Sequence, residues 1–195
     1  MNNILKTIID GSYHNTKETV ELYLPNQYQS PNDLIMRIIY LLNKNKLKYV
    51  VDSEISVYID RNACYYGLYY TYGDGFYWGD YIIKVDMKKS RDESFFYTFS
   101  SHIPNRYEKK DYTAKLDLCE QTPNLITTFN AFIDKIIQNI IKIKQEYAED
   151  DLDDSQPEGV VSLDWHNLYI TEKKEELDKY SDFLQQLKIS KEELV

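Results

Sequence analysis

Between Leu125 and Tyr147 the chain repeats apolar residues at helical spacing: Leu125, Ile126, Phe129, Phe132, Ile133, Ile136, Ile137, Ile140 and Ile141. A stripe that long cannot be left in water, so it predicts a helix and, opposite it, a sheet face for the helix to cover. Thr122-Pro123 has the form of a helix start, a hydroxyl N-cap followed by proline at the first helical position. Ser30-Pro31 repeats that form and introduces Leu34, Ile35, Ile38, Ile39, Leu41 and Leu42, which predict a helix to about Lys46.

From Leu47 to Ser100 the hydrophobic period changes to two, the period of a strand. Ile55, Val57 and Ile59 alternate with polar neighbours. Cys64 to Tyr72 and Phe76 to Met87 flank Gly73-Asp74-Gly75 as a hairpin. Phe95, Tyr97 and Phe99 supply another strand, and Tyr112 to Leu118 a candidate fifth. Near the start, Ile4 to Ile9 before Gly11 reads as a short helix and Val20 to Leu24 as a strand ended by Pro25. Toward the end, Val160 to Ile170 reads as extended. Thr171 then caps a last helix carrying Leu177, Tyr180, Phe183, Leu184 and Leu187, and Ser190 with Glu193 forms a capping box for a final turn. The expected architecture is α+β: an antiparallel sheet of four to six strands with helices packed mainly on one face.

Charge divides the chain unevenly. The net charge of the 195 residues is −9, yet residues 1–148 hold 18 acids and 18 bases, whereas residues 149–195 hold 14 acids and 5 bases. The break falls in the acidic stretch Glu149 to Gly159. The expected organisation is an α+β body over 1–148, an acidic linker or loop over 149–159, and a strand plus helix extension over 160–195. Those last 36 residues are too few to bury a core of their own, so they must dock on the body or on a partner. Cys64 and Cys119 cannot build a disulfide framework. No apolar run reaches the length of a membrane span, and nothing resembles a signal peptide, so a soluble cytoplasmic protein is expected.

Residue types for catalysis are sparse. His14, His102 and His166 do not fall at metal-ligand spacing with one another or with either cysteine. Asp164-Trp165-His166 is the one local trio of catalytic types. In a strand Asp164 and His166 would share a face, although a surface Asp and His beside a packed Trp is the favoured explanation. Asp164 followed by Glu172-Lys173-Lys174, and Asp92 followed by Glu108-Lys109-Lys110, have the bare spacing of a metal-nuclease pattern. In a chain with 28% charged residues such strings arise by chance. The acidic run fails as a calcium loop, and no phosphate-cradling glycine loop is present. The expectation is therefore a protein without enzymatic activity or cofactor. A small metal-dependent enzyme using Asp164, His166 and Glu172 is the alternative.

Nineteen tyrosines remain to be explained; without them the apolar fraction falls from 43% to about a third. Eight lie between Tyr58 and Tyr81. The strand from Cys64 carries Tyr66, Leu68 and Tyr70 on one face and Tyr65, Gly67 and Tyr69 on the other. On the next strand Tyr77, Tyr81, Ile83 and Val85 make the apolar face, with Asp80, Lys84 and Asp86 opposite. Only one face can lie under a helix. The other then offers Tyr65, Tyr69, Phe76 and Trp78 for cross-strand pairing, protein recognition or base stacking, and the net negative charge disfavours the last. The combined expectation is an acidic inhibitor that binds a basic nucleic-acid-handling protein, of an anti-defence (anti-CRISPR or anti-restriction) or nuclease-toxin immunity type. Asp150, Asp151, Asp153 and Asp154 would stand in for phosphates in the partner's basic site. A plain solubilising tail and a homo-oligomeric interaction protein are the competing uses of the same features.

Overall fold

The computed structural model describes residues 24–47, 49–55, 64–71, 81–89, 94–105, 109–150 and 163–194. Helix α1 (Pro31–Lys44) starts at the predicted Ser30-Pro31. The Asp33 carboxylate accepts the Ser30 N–H at 2.8 Å, and the Gln29 N–H and the Ser30 hydroxyl at 2.9 Å each. That bond set holds the entering chain and puts a negative charge on the helix N-terminus. At the other end the Lys46 N–H reaches the Asn43 carbonyl at 3.0 Å and the Leu47 N–H the Leu42 carbonyl at 2.9 Å. Lys46 itself sits at φ 55°, so the helix closes on a Schellman motif.

The sheet is an antiparallel meander in chain order: β1 (Val50–Ile55), β2 (Cys64–Thr71), β3 (Tyr81–Lys89), β4 (Phe95–Asn105) and β5 (Lys110–Cys119). Of the strand expected around Ile55, Val57 and Ile59, the described part is β1, which reaches Ile55. Gly73-Asp74-Gly75, residues 1–23 with their expected helix, and residues 56–60 lie outside the described residues. β4 runs past Phe99 to Asn105, through Pro104, which stands opposite Asp111 beside the β4–β5 hairpin.

Residues opposite each other on antiparallel strands share a face, so register sorts the side chains. Ile83, Val85 and Met87 of β3, Tyr97, Phe99 and Ile103 of β4, and Ala114 and Leu118 of β5 are buried on one face. On β2, Tyr70, Leu68 and Tyr66 stand in register opposite Ile83, Val85 and Met87. Helix α2 (Leu125–Asp150) crosses β4 and β5, where Phe129 and Phe132 meet the Phe99 ring edge-on at 5.9 and 6.4 Å. Helix α3 (Leu163–Leu187) packs on α2 and α1, and one hydrophobic core runs from Tyr28 to Ile189. The molecule is α+β.

Three local expectations are corrected. Thr122 does not cap α2. Its hydroxyl accepts the Cys119 N–H at 2.8 Å and donates to the Cys119 carbonyl at 2.9 Å, closing the turn out of β5. The helix starts two residues later, behind Asn124 at φ 54°, a conformation asparagine tolerates. Of the segment expected to be extended, Leu163 to Ile170 is helical, because α3 begins at Leu163 and Thr171 lies inside it; residues 160–162 lie outside the described residues. Ile170, Leu177 and Leu184 recur every seven residues and are buried with Phe183 and Leu187, and that burial favours the helix. The final 3-10 turn (Lys191–Leu194) does form behind Ser190, but the Glu193 carboxylate reaches Arg37 instead of returning to the turn.

Arg37 interrupts the apolar stripe of α1 and is 3% exposed. Its guanidinium donates to the carbonyls of Gln186 (2.7 Å), Leu187 (2.8 Å) and Lys188 (2.8 Å), and to the Tyr28 hydroxyl (2.7 Å). Glu193 completes the set at 2.9 Å. The carbonyls belong to the end of α3, so a cation from α1 caps the negative end of a helix far along the chain.

Candidate interaction face

Among the described residues no helix packs on the second face of the sheet. On β3, β4 and β5 that face falls into rows across the strands: Lys88, Phe96 and Cys119; then Asp86, Thr98 and Asp117; then Lys84, Ser100 and Lys115. In register these rows continue to the Tyr65 and Glu54, the Gly67 and Asp52, and the Tyr69 and Val50 positions of β2 and β1. An aromatic row is thus followed by an acidic row and a basic row.

Within strands the charges are already paired. Lys84 meets Asp86 and Lys115 meets Asp117, each at 2.9 Å, and the Thr98 hydroxyl donates to Asp117 at 2.7 Å. Hydrogen bonds from Lys115 and then Thr98 hold the Asp117 carboxyl below its ordinary range. Phe96 is 50% exposed. In the next row the Lys84 ammonium stands 5.8 Å from the Tyr81 ring centroid, Tyr81 lies 6.0 Å from the His102 ring, and His102 is 3.5 Å from Asp111. The expectation that Tyr81 joins Ile83 and Val85 on the apolar face fails, because a register shift between Tyr81 and Lys84 turns it toward His102.

Register sets the Tyr65 and Tyr69 positions opposite Lys88 and Lys84. Phe76, Trp78, Asp151, Asp153 and Asp154 lie outside the described residues, and Asp150 is the last residue of α2. Phe96 was missed by sequence reasoning. The signal was there: Phe95-Phe96 is a doublet in a period-two strand, so one ring must point away from the core.

Other polar groupings are structural. The Glu146 carboxylate, near the end of α2, accepts from Asn105 (2.6 Å), Tyr112 (2.5 Å) and Lys110 (3.1 Å). Partial burial pushes its carboxyl up, but the hydrogen bonds from Tyr112, Asn105 and Lys110 together bring it below the usual value. An open cavity of about 340 Å³ beside Tyr28, Asn124 and Thr127 has Asn130 in its wall, and that amide is tied to both the N–H and the carbonyl of Ile189. Cys119 is exposed, and hydrogen bonds from the Thr122 hydroxyl and the Gln121 N–H lower its thiol.

The alternative metal set is dispersed. Asp164, His166 and Glu172 all fall on α3, where positions two apart lie about 200° around the axis, so the face shared in a strand is lost. Lys173 is paired with Glu176 at 2.9 Å. Among the described residues no three His, Cys, Asp or Glu are grouped to hold a metal ion, and no helix is long and apolar enough to cross a membrane. No protein-family model, curated protein or solved structure matches the chain.

Proposed function

We propose that this chain is a non-enzymatic binding protein that uses the open face of its sheet as an interface and its acidic segment as an electrostatic lure for a basic protein. The half-exposed Phe96, in a row with Tyr65 and Lys88 and beside rows of alternating charge, carries the interface part. Solvent-facing strand positions are ordinarily polar, and aromatic side chains among charges supply contact area without inviting collapse. Several acids of the C-terminal region are engaged within the molecule: Asp178 by Lys144, Glu176 by Lys173 and Glu193 by Arg37. The surrogate-phosphate role is assigned to the acidic run, Asp150, Asp151, Asp153 and Asp154. Asp150 ends a helix whose last turns are pinned to the β4–β5 hairpin by Glu146, and Asp151, Asp153 and Asp154 come next in the sequence. The partner class is a cytoplasmic nucleic-acid-handling enzyme with a basic groove, and the biological role is inhibition of an anti-defence or toxin-immunity kind.

Affinity capture from the source cell tests this with two variants. Asp150→Asn, Asp151→Asn, Asp153→Asn and Asp154→Asn together should leave melting unchanged, slow association with the captured protein and weaken its competition with DNA. Phe96→Ala should cost the complex formed on the sheet face about 2 kcal/mol if the ring is central to it. Association of the Asn variant as fast as wild type at low salt would discard the lure.

A further inference from the structure

We propose that the open face seats a second copy of this chain, about a two-fold axis running across the strands between the acidic and basic rows; this rests on taking that face as an interface. A rotation about that axis lays the acidic row of each copy on the basic row of the other. Asp86 then stands over Lys84 of the other copy, and Asp117 over Lys115 of the other copy, each contact occurring twice by symmetry. The same rotation sets the Gly67 position opposite the Tyr69 position in register. It also sets Thr98 opposite Ser100, small against small, and Phe96 opposite His102.

The pairing is self-complementary in charge and in bulk, and both come from one register. A foreign partner would need two stripes of opposite charge about 7 Å apart, the span of two strand residues, whereas a second copy supplies them by symmetry. Exposed pairs such as Lys115–Asp117 contribute little alone because water screens them. Between two sheets about 10 Å apart water is largely excluded, and Asp86 and Asp117 each lie between two ammonium groups in an alternating cluster. Helix α2 covers the opposite face, so its acidic end stays accessible in the pair and the lure and the dimer do not compete.

Sedimentation velocity on the full chain in 0.15 M salt tests this. Wild type should be dimeric at about 100 µM. Lys84→Asp with Lys115→Asp makes both rows acidic, and Asp86→Lys with Asp117→Lys makes both basic; each variant should be monomeric, and an equimolar mixture should form a one-to-one heterodimer. Should either variant melt early, the fourfold alanine variant at Lys84, Asp86, Lys115 and Asp117 keeps the net charge of −9 and is expected to be folded and monomeric. A wild-type monomer, or a dimer that the folded alanine variant retains, overturns the pairing. Capture of a basic protein by the acidic segment is read separately, on the monomeric variants, so that loss of the dimer and loss of the lure are distinct results.

Discussion

Tyr97 lies on the core face of β4 at 1% exposure, its hydroxyl facing the Asn32 side chain without a regular hydrogen bond. Burial pushes the phenol up to about 12, against about 10 in an unfolded chain. Because the folded state holds the proton more tightly, the associated stability is fully present below pH 10 and is lost as pH rises toward 12. The slope is about 1.4 kcal/mol per pH unit. Tyr28, also raised by burial, acts in the same direction. Tyr97→Phe should therefore cost less than about 1 kcal/mol at neutral pH and make alkaline unfolding shallower, measured by urea titrations from pH 8 to 12. An unchanged alkaline limb would show that Tyr97 is not what fails there. Sequence could not have singled out Tyr97 from the other eighteen tyrosines, since burial of a hydroxyl depends on what the neighbouring elements place over it.

Glu146 shows how one side chain anchors a whole element. Its carboxyl is held below the usual value, so its contribution is present above the unfolded value and is lost as pH falls through the folded one. Glu146→Gln should loosen the last turns of α2 near neutral pH and flatten the acid limb of stability, with amide exchange faster after Ile143 than before it. Uniform acceleration along the helix would contradict that anchoring. Much of the element order was legible: the start of α1, the period-two strands, and α2 follow from apolar spacing, which is local. What escaped was decided at a distance. The 163–170 stretch is helical because Ile170 and Leu177 find α1 and α2 to cover, and Thr122-Pro123 loses its cap because Cys119 takes the hydroxyl first. The open face was half legible: alternation separates Tyr65 and Tyr69 from Tyr66 and Tyr70, but which strand residues form rows depends on register and on the irregularity at Tyr81.

At the scale of the molecule, Arg37 joins α1 to the carbonyl end of α3 across 149–151 positions of chain. Arg37→Met fills the space but leaves three helix-end carbonyls, the Tyr28 hydroxyl and the Glu193 carboxylate without their donor. A loss of about 3 kcal/mol or more is expected in urea unfolding. A loss below about 1 kcal/mol would mean that water replaces the guanidinium freely. The same contact sets an order of events during synthesis. Helix α1 leaves the ribosome among the first elements described, carrying a cation in the middle of its apolar stripe. Until roughly 150 further residues have been made, that cation has none of the acceptors the finished fold gives it in α3. The early chain therefore has reason to keep Arg37 in water, which holds the stripe at the surface and delays collapse around it. Contacts so remote slow folding as a rule. Here the delay falls at one guanidinium, so closure of the core should be a late and concerted step that coincides with arrival of the last helix.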